Sequence, residues 1–182
     1  MANEPQIKVY DNLFSYEEQV NLYNFIKGCL FQMCSADDLA IEHNEDYSMV
    51  SSWSLVDIEN FGILKNNKVK EILEGLGHIE QMDGRVNVSF PSDSDRFHID
   101  GAGAGEYKVY TLLYYPNLNW NLEWGGHLIL SKDRKKIDKI VEYVPGRVVL
   151  LPGDYPHLIF SPTKLAKSPR FSFSLHLKVL PE

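Results

Sequence analysis

The pattern of apolar and polar positions divides the chain into a helical first part and a β-rich second part. Behind the capping box Ser15-Tyr16-Glu17-Glu18, apolar side chains recur at helical spacing and predict a helix over about 16–31. The mixture of β-branched and aromatic residues over 50–58 predicts a strand. A second helix is predicted over 67–76, ending at Gly77. Two helices therefore precede the region in which strands dominate.

From Arg85 onward the chain consists of short segments that are rich in β-branched and aromatic residues and are separated by Gly or Pro. Val86, Val88 and Phe90 alternate with polar residues. Further strands are predicted over the ranges 107–115, 127–130, 139–143, 147–151, 157–160 and 170–179. Short strands at this spacing predict a barrel or a sandwich. We therefore expect a mainly β fold, with a jelly-roll barrel over 85–180 and a mostly helical support over 1–80.

Length, charge and cysteine content narrow the class of protein. The 182 residues suit a single domain over 1–182, and no internal repeat or linker interrupts them. The formal net charge of −7 disfavours extended DNA or RNA as a partner, because an acidic surface repels phosphates. Cys29 and Cys34 are too few for a disulfide framework or a cysteine zinc site. With a polar N-terminus and no run of membrane-spanning length, we expect a soluble cytoplasmic protein without membrane contact.

The last predicted strand separates two kinds of side chain. Phe171, Phe173, Leu175 and Leu177 fall on one face, and Arg170, Ser172, Ser174 and His176 fall on the other. We expect the aromatic face to pack against the helices and the polar face to point into the barrel. An arginine inside a small barrel requires a negative partner. That partner is either a ligand carboxylate or an acidic residue of another strand.

The sequence His98-Ile99-Asp100, followed far downstream by His157, predicts a metal site. Two residues that are one position apart on a strand point to the same side, so His98 and Asp100 can occupy adjacent corners of a metal. Two histidines and one carboxylate leave the opposite side of an iron open, as non-haem Fe(II) oxygenases require. Arg170, thirteen residues after His157, could then hold a carboxylate with two hydrogen bonds.

The order of these motifs resembles that of the 2-oxoglutarate- and Fe(II)-dependent dioxygenases. Within them, the chain is most similar to the prolyl-4-hydroxylase-like group, which includes compact phage and bacterial members. The resemblance covers about 86–178, and its landmarks in chain order are His98-Ile99-Asp100, Thr111-Leu112-Leu113-Tyr114-Tyr115-Pro116-Asn117, Trp120-Asn121-Leu122-Glu123-Trp124-Gly125-Gly126, Pro145-Gly146-Arg147-Val148-Val149-Leu150-Leu151, His157 and Arg170-Phe171-Ser172. The region before 86 matches only as a generic helical support.

The resemblance implies a double-stranded β-helix, a cupin-like form of the jelly-roll barrel, and roles for particular residues. The iron ligands would be His98, Asp100 and His157. Arg170 would bind the distal carboxylate of 2-oxoglutarate, and Tyr115 would assist it. The remaining two residues expected to line the same pocket are Ser172 and Leu128.

The implied reaction is hydroxylation of a C–H bond with decarboxylation of 2-oxoglutarate to succinate. It would need Fe(II) and O₂, and ascorbate is expected to support it. The first substrate suggested is a peptidyl proline, and the alternative is a small metabolite or a free amino acid. A metal-binding β-barrel without catalytic activity is the remaining alternative. Because Asp100 is present, hydroxylation is favoured over halogenation, for which related enzymes lack this carboxylate.

Three further residues are candidates for substrate contact. His176 lies on the inward face of the last predicted strand, where prolyl hydroxylases place residues near their substrate; a hydrogen-bonded barrel histidine is the alternative. His127 follows Gly125-Gly126, and the alternative to substrate contact is an exposed strand histidine. For Trp124, the alternative is a role in packing. The glycine-rich segment 101–105 is expected to form a loop beside the iron. The sequence gives no oligomeric state.

Overall fold

A computed structural model describes residues 7–35, 47–91, 93, 96–101 and 107–180. Its elements in chain order are β1 (Lys8–Tyr10), α1 (Tyr16–Lys27), β2 (Gln32–Ser35), β3 (Tyr47–Trp53), α2 (Leu55–Phe61), a 3₁₀ turn (Ile63–Lys65), α3 (Asn67–Glu74), β4 (Ile79–Ser89), β5 (Lys108–Tyr114), a 3₁₀ turn (Leu122–Trp124), β6 (Leu128–Leu130), β7 (Lys139–Val141), β8 (Val148–Pro152), β9 (His157–Ile159) and β10 (Arg170–Val179). Beyond Gly101, the predicted glycine-rich loop lies outside the described residues, as does the side chain of Cys34.

Two antiparallel sheets form the body of the protein. The larger sheet has the order β1-β8-β5-β10-β4-β3-β2, and the smaller has the order β7-β6-β9. Their facing sides enclose a buried cluster that contains Leu113, Val149 and Leu151 of the large sheet together with Leu128 and Leu130 of the small one. This is the barrel of short strands that the alternation of apolar and polar residues predicted.

The helices cover the outer face of the large sheet. The apolar residues of β10, at every second position from Phe171 to Val179, lie in one buried cluster with helical residues such as Ile26, Ile58 and Val69. The prediction that this face of β10 packs against the helices is therefore confirmed. The polar residues of β10 consequently face the space between the two sheets.

Capping side chains explain where the helices begin and correct part of the prediction. At α1 the Ser15 hydroxyl accepts from the Glu18 amide and the Glu18 carboxylate accepts from the Ser15 amide, so the predicted capping box is present. The helix ends at Lys27, four residues earlier than predicted. Ser54 and Asp57 form a second capping box that starts α2. The strand predicted over 50–58 is therefore wrong beyond Trp53.

Two other boundaries differ from the prediction. β4 begins at Ile79, so the β region starts before Arg85 and takes in the polar stretch that precedes it. The segment that carries His98 and Asp100 is not a regular strand: His98 forms an isolated bridge, and Asp100 lies at a bend. None of the described helices is long and apolar enough to cross a membrane.

Candidate metal centre

Three side chains converge at one end of the space between the sheets. One ligand atom from each of His98, Asp100 and His157 lies within 4.8 Å of the other two, a group that could hold a metal ion. The His98 Nε2 atom is 3.8 Å from Asp100 Oδ1, and the His157 Nε2 atom is 3.6 Å from Asp100 Oδ2. The structure thus brings together the three residues for which the sequence predicted a shared metal.

Backbone hydrogen bonds hold the two histidines side by side. The His98 amide donates to the His157 carbonyl at 3.0 Å, and the His157 amide donates to the His98 carbonyl at the same distance. The Asp100 amide donates to Gly153 O at 2.9 Å. A glycine at 153 permits this packing, because a Cβ there would lie 3.1 Å from Gly101 O and only 2.5 Å from Val109 Cγ1. Two segments that are distant in sequence are thereby fixed before any ligand is added.

The outer ring nitrogen of each histidine is oriented by a carbonyl oxygen. His98 Nδ1 lies 2.9 Å from Arg96 O, and His157 Nδ1 lies 2.9 Å from Tyr155 O. Because a carbonyl oxygen only accepts, each Nδ1 carries the proton, and each Nε2 presents its lone pair to the centre. The two imidazoles therefore have the tautomer that metal binding needs.

Asp100 is positioned by the neighbouring strands. The hydroxyl of Thr111, a fully buried residue of β5, donates to Asp100 Oδ2 at 2.6 Å. On the other side, His176 Nε2 lies 3.8 Å from Asp100 Oδ1, while His176 Nδ1 is 2.8 Å from Asp83 Oδ1. His176 is thus adjacent to the metal-ligand group but is not one of its three members.

Arg170 lies in the same interior, near the other end of the small sheet. It is fully buried; its Nε donates to Gly126 O at 2.8 Å, and its Nη1 donates to Ser172 Oγ at 3.1 Å. Gly126 precedes β6, whose last residue, Leu130, pairs with His157 of the metal-ligand group. A Cβ on Gly126, where φ is +74°, would lie 2.8 Å from Arg170 Cδ, so only glycine leaves room for this side chain.

The guanidinium of Arg170 rests against two stacked tyrosines. Its Cζ lies 5.2 Å from the ring centre of Tyr115 and 4.7 Å from that of Tyr143. The Tyr115 hydroxyl is buried and makes no hydrogen bond of normal geometry to a described residue. Burial raises the pKa of Tyr115, and the positive charge of Arg170 partly opposes that shift.

These features together fit an iron ion and a dicarboxylate. Two imidazoles and one carboxylate are the donor set that leaves an Fe(II) partly open. A buried guanidinium beside a buried hydroxyl with a proton to donate suits the far carboxylate of a small acid. Leu128 lies in the interior between the two ends, because it falls between Gly126 and Leu130 on the small sheet. Ser172 is buried on the facing large sheet, and its hydroxyl accepts a hydrogen bond from Arg170 Nη1.

The remaining predicted residues have other contacts. His127 is half-buried, and its Nδ1 accepts the backbone N–H of Tyr143 at 3.1 Å. Burial lowers the pKa of His127, and the negative charge of Glu142 partly opposes this shift. Trp124 packs edge-on against Trp120, with ring centres 5.3 Å apart. Neither contact places these residues at the group of metal ligands.

Sequence reasoning did not assign a role to three residues of this site. In the sequence, Thr111 and Asn117 stand out only as the ends of one motif, and Tyr143 only as the end of a predicted strand. The Asn117 side chain is buried and accepts from the Phe171 amide, next to Arg170. Thr111 could have been found, because the alternation of inward and outward positions places this polar side chain inside the barrel. Tyr143 and Asn117 lie outside regular strands, so no such signal existed.

The fold is similar to those of several solved oxygenase structures. A prolyl hydroxylase from Trichoplax adhaerens, solved with a hypoxia-inducible-factor peptide fragment, matches 96% of this chain and 84% of its own, with a TM-score of 0.67 and 19% identity. The viral collagen prolyl hydroxylase from Paramecium bursaria Chlorella virus-1, solved with 2-oxoglutarate, matches 99% of both chains, with a TM-score of 0.66 and 14% identity.

A third similar structure differs in its chemistry. The non-haem, α-ketoglutarate-dependent carbocyclase of nogalamycin biosynthesis matches 97% of this chain and 80% of its own, with a TM-score of 0.71 and 13% identity. No family model and no curated protein matches the sequence. The comparisons show that the chain has the double-stranded β-helix fold of these oxygenases, which confirms the fold that the sequence predicted.

Proposed function

We propose that this chain is an Fe(II)- and 2-oxoglutarate-dependent dioxygenase that hydroxylates a C–H bond. The observation that carries the proposal is the convergence of His98, Asp100 and His157 on one centre, in the same interior as the buried guanidinium of Arg170. Either feature alone occurs in other proteins. Together they match the two halves of one chelated co-substrate, its keto-acid end and its far carboxylate.

Each residue has a separate task in this proposal. His98, Asp100 and His157 would hold the iron through Nε2, a carboxylate oxygen and Nε2. Bound iron, with 2-oxoglutarate and O₂, would supply the oxidative decarboxylation to succinate and CO₂ and the transfer of one oxygen atom to the substrate. The carbonyls of Arg96 and Tyr155 keep both imidazoles oriented. Thr111 holds the Asp100 carboxylate at a fixed angle.

The proposed co-substrate subsite lies around Arg170. Its guanidinium would donate to the distal carboxylate of 2-oxoglutarate, with the Tyr115 hydroxyl as a further donor and with Ser172 and Leu128 as lining residues. Because Arg170 and Tyr115 are fully buried, water is excluded and each hydrogen bond to the carboxylate is strengthened. Both groups are already in place in the folded chain, so little ordering would accompany binding.

For the substrate, we propose a peptidyl proline first, because two of the similar structures are prolyl hydroxylases. A small metabolite or a free amino acid is the second candidate, and the similarity to a carbocyclase favours it. His176 would contact the substrate, since its ring lies beside Asp100 and is held by Asp83. His127 and Trp124 are further candidates at the rim.

Succinate formation tests the proposed activity. Purified protein is incubated with Fe(II), ascorbate, 2-oxoglutarate and air, and succinate is measured with and without proline-containing peptides or free amino acids. We expect succinate from the native chain and none above background from Asp100→Ala. A mass increase of one oxygen atom in one substrate class identifies that class. If the native chain neither forms succinate nor binds 2-oxoglutarate, the chain is a non-catalytic barrel and the proposal is wrong.

Arg170→Ala tests the assignment of the two ends. We expect the apparent KM for 2-oxoglutarate to rise at least tenfold, because a buried charge-assisted pair is lost. Binding of Mn(II), measured by calorimetry as a redox-stable substitute for iron, should stay within about twofold. Arg134→Ala, in an exposed loop, is the control and should change neither value. An equal loss of Mn(II) affinity in Arg170→Ala would contradict the assignment.

A further inference from the structure

Asn117 binds the backbone on both sides of Arg170. Its Oδ1 accepts the Phe171 amide at 2.9 Å, and its Nδ2 donates to Pro169 O at 2.9 Å. The residue is 2% exposed and is separated from Arg170 by more than fifty positions in the sequence. A single side chain thus fixes the peptide groups immediately before and after the residue that carries the guanidinium.

Tyr143 joins this backbone anchor to the guanidinium itself. Its hydroxyl oxygen lies 2.5 Å from Asn117 Oδ1 and 2.7 Å from Phe171 O. The same oxygen accepts a hydrogen bond from the backbone N–H of Asn117 at 3.3 Å. The same side chain lies under the Arg170 guanidinium, whose Cζ is 4.7 Å from the ring centre. One face of this tyrosine therefore touches the charge, while its polar end is attached to the strand that bears it.

Aromatic packing fixes the tyrosine in turn. The ring of Tyr143 stacks on Tyr115 with centres 4.5 Å apart and an angle of 20°, and Trp120 packs against it at 4.7 Å. Burial raises the pKa of Tyr143, so its hydroxyl keeps its proton. The His127 ring accepts the backbone N–H of the same residue. Tyr143 is thus held through its ring, its hydroxyl and its backbone.

We infer that Tyr143 and Asn117 are positioning residues that set the distance between the Arg170 guanidinium and the metal centre, and so determine the chain length of the keto-diacid that is bound. The inference rests on the proposed function. The contacts of Arg170 include Gly126 O, Ser172 and the rings of Tyr115 and Tyr143. Without the Tyr143 hydroxyl, the hydrogen bonds that attach this ring to Asn117 and to Phe171 O are lost. The ring can then tilt, and the Arg170 guanidinium that rests on it can shift along the interior.

Two consequences distinguish positioning from simple stabilisation. The affinity for 2-oxoglutarate should fall while the affinity for the metal does not, because the metal ligands are on other segments. The preference for 2-oxoglutarate over 2-oxoadipate, which is one methylene longer, should narrow, because a displaced guanidinium fits the longer acid relatively better. A residue that only stabilises the fold would leave two ratios unchanged. One is the ratio of the Kd for 2-oxoglutarate to the Kd for the metal, and the other is the ratio of the Kd for 2-oxoadipate to the Kd for 2-oxoglutarate.

The test measures equilibrium binding to the full-length Mn(II)-loaded chain by calorimetry. In Tyr143→Phe, we expect the Kd for 2-oxoglutarate to rise about tenfold, the Kd for Mn(II) to stay within twofold, and the 2-oxoadipate to 2-oxoglutarate Kd ratio to fall at least threefold. Asn117→Ala should lose at least as much affinity for 2-oxoglutarate. Urea unfolding of each variant establishes that it is folded, and binding is measured at 10 °C where a variant is less stable.

Tyr114→Phe is the matched control. Tyr114 is an equally buried tyrosine on the opposite, helix-facing side of β5, and its hydroxyl has no hydrogen-bond partner among the described residues. Its removal should leave all three binding values unchanged. Unchanged 2-oxoglutarate affinity and acid selectivity in Tyr143→Phe would overturn the inference but leave the proposed function standing. Absence of 2-oxoglutarate binding to the native chain would overturn both.

Discussion

The two faces of β10 show how one strand serves both the fold and the candidate site. On the outer face, Phe173 is completely buried between Trp53 and Phe61, whose ring centres lie 5.1 and 5.0 Å away. On the inner face, Arg170 is equally buried, yet its contacts include a carbonyl, a hydroxyl and two aromatic rings. Two equally buried side chains of one strand are therefore held by apolar packing on the outer face and by polar and cation–π contacts on the inner face.

The difference teaches which substitutions should affect stability and which should affect binding. Outer-face residues contribute by apolar area removed from water and by close packing. Inner-face polar residues add little net stability, because burial of their polar atoms costs about what their hydrogen bonds return. We therefore expect changes on the outer face to lower the free energy of unfolding and changes on the inner face to lower ligand affinity.

The largest effect should come from Phe173→Ala. Removal of a fully buried aromatic ring should lower the free energy of unfolding by about 3–5 kcal/mol, measured by urea denaturation. The matched control is Ser174→Ala at the neighbouring inner-face position. The Ser174 hydroxyl accepts a long hydrogen bond from Asn87 Nδ2 at 3.4 Å, and its removal should cost less than about 1 kcal/mol. Similar losses in the two variants would remove the distinction between the faces.

The next effect concerns the inner face alone. Thr111→Val keeps the shape of the side chain and removes the hydroxyl that binds Asp100 Oδ2 at 2.6 Å. We expect Mn(II) affinity to fall about 10–100-fold, because partners that orient a metal ligand typically contribute that much. Thr111→Ser retains the hydroxyl and should keep the native affinity to within a few fold. Native Mn(II) binding by the valine variant would show that Asp100 needs no such support.

A smaller effect is expected in the helical layer that covers the outer face. Ser15→Ala removes the hydroxyl that caps α1 and should lower the free energy of unfolding by about 1 kcal/mol. Binding of Mn(II) and of 2-oxoglutarate should not change, since α1 contacts the large sheet from outside. A loss of ligand affinity in this variant would mean that the helices influence the interior more than the packing suggests.

The smallest effect is a pH-dependent one at the edge of the large sheet. Arg147 makes two 2.8 Å hydrogen bonds to the carboxylate of Asp11, and this contact lowers the pKa of Asp11. A lowered carboxyl pKa stabilises the fold above the unfolded value of about 3.9 and ceases to do so as the pH falls through the folded value. Because the Asp11 side chain is 43% exposed and its charge is screened by solvent, Asp11→Asn should cost about 0.2–1 kcal/mol at pH 7.

The check on that pair is a series of unfolding curves. The difference in the free energy of unfolding between Asp11→Asn and the native chain should shrink as the pH falls from 7 through the lowered pKa of the folded Asp11 carboxyl, because the native carboxyl then becomes protonated. Arg147→Gln should cost about the same at pH 7, and the double variant should cost less than the sum of the two. A difference that stays constant with pH would show that the variant acts by some route other than this charge.

Much of the fold could be predicted because it depends on local alternation. The two faces of β10 follow from a period of two, and the start of α1 follows from Ser15 and Glu18. The mixture of β-branched and aromatic residues predicts a strand over 50–58, yet Ser54 and Asp57 cap a helix that begins at Leu55. The capping hydrogen bonds therefore outweigh the strand propensity of this short segment.

Less of the candidate site could be predicted. His98, Asp100, His157 and Arg170 were identifiable from residue type and order, and the structure brings the first three together. The support for them was not identifiable, because the contact of Thr111 with Asp100 and that of Asn117 with 169–171 depend on tertiary structure. Likewise, Asp11 and Arg147 are far apart in sequence, and no local pattern pairs them.

The reciprocal backbone pairing of His98 and His157 has a consequence for how a metal would act on the whole molecule. Since folding alone brings these segments together, the entropy of closing the long loop between them is lost before an ion arrives. An ion bound there would act as a reversible cross-link, favouring the native state according to its free concentration. Chelation would then lower the melting temperature of the protein as well as remove an ion.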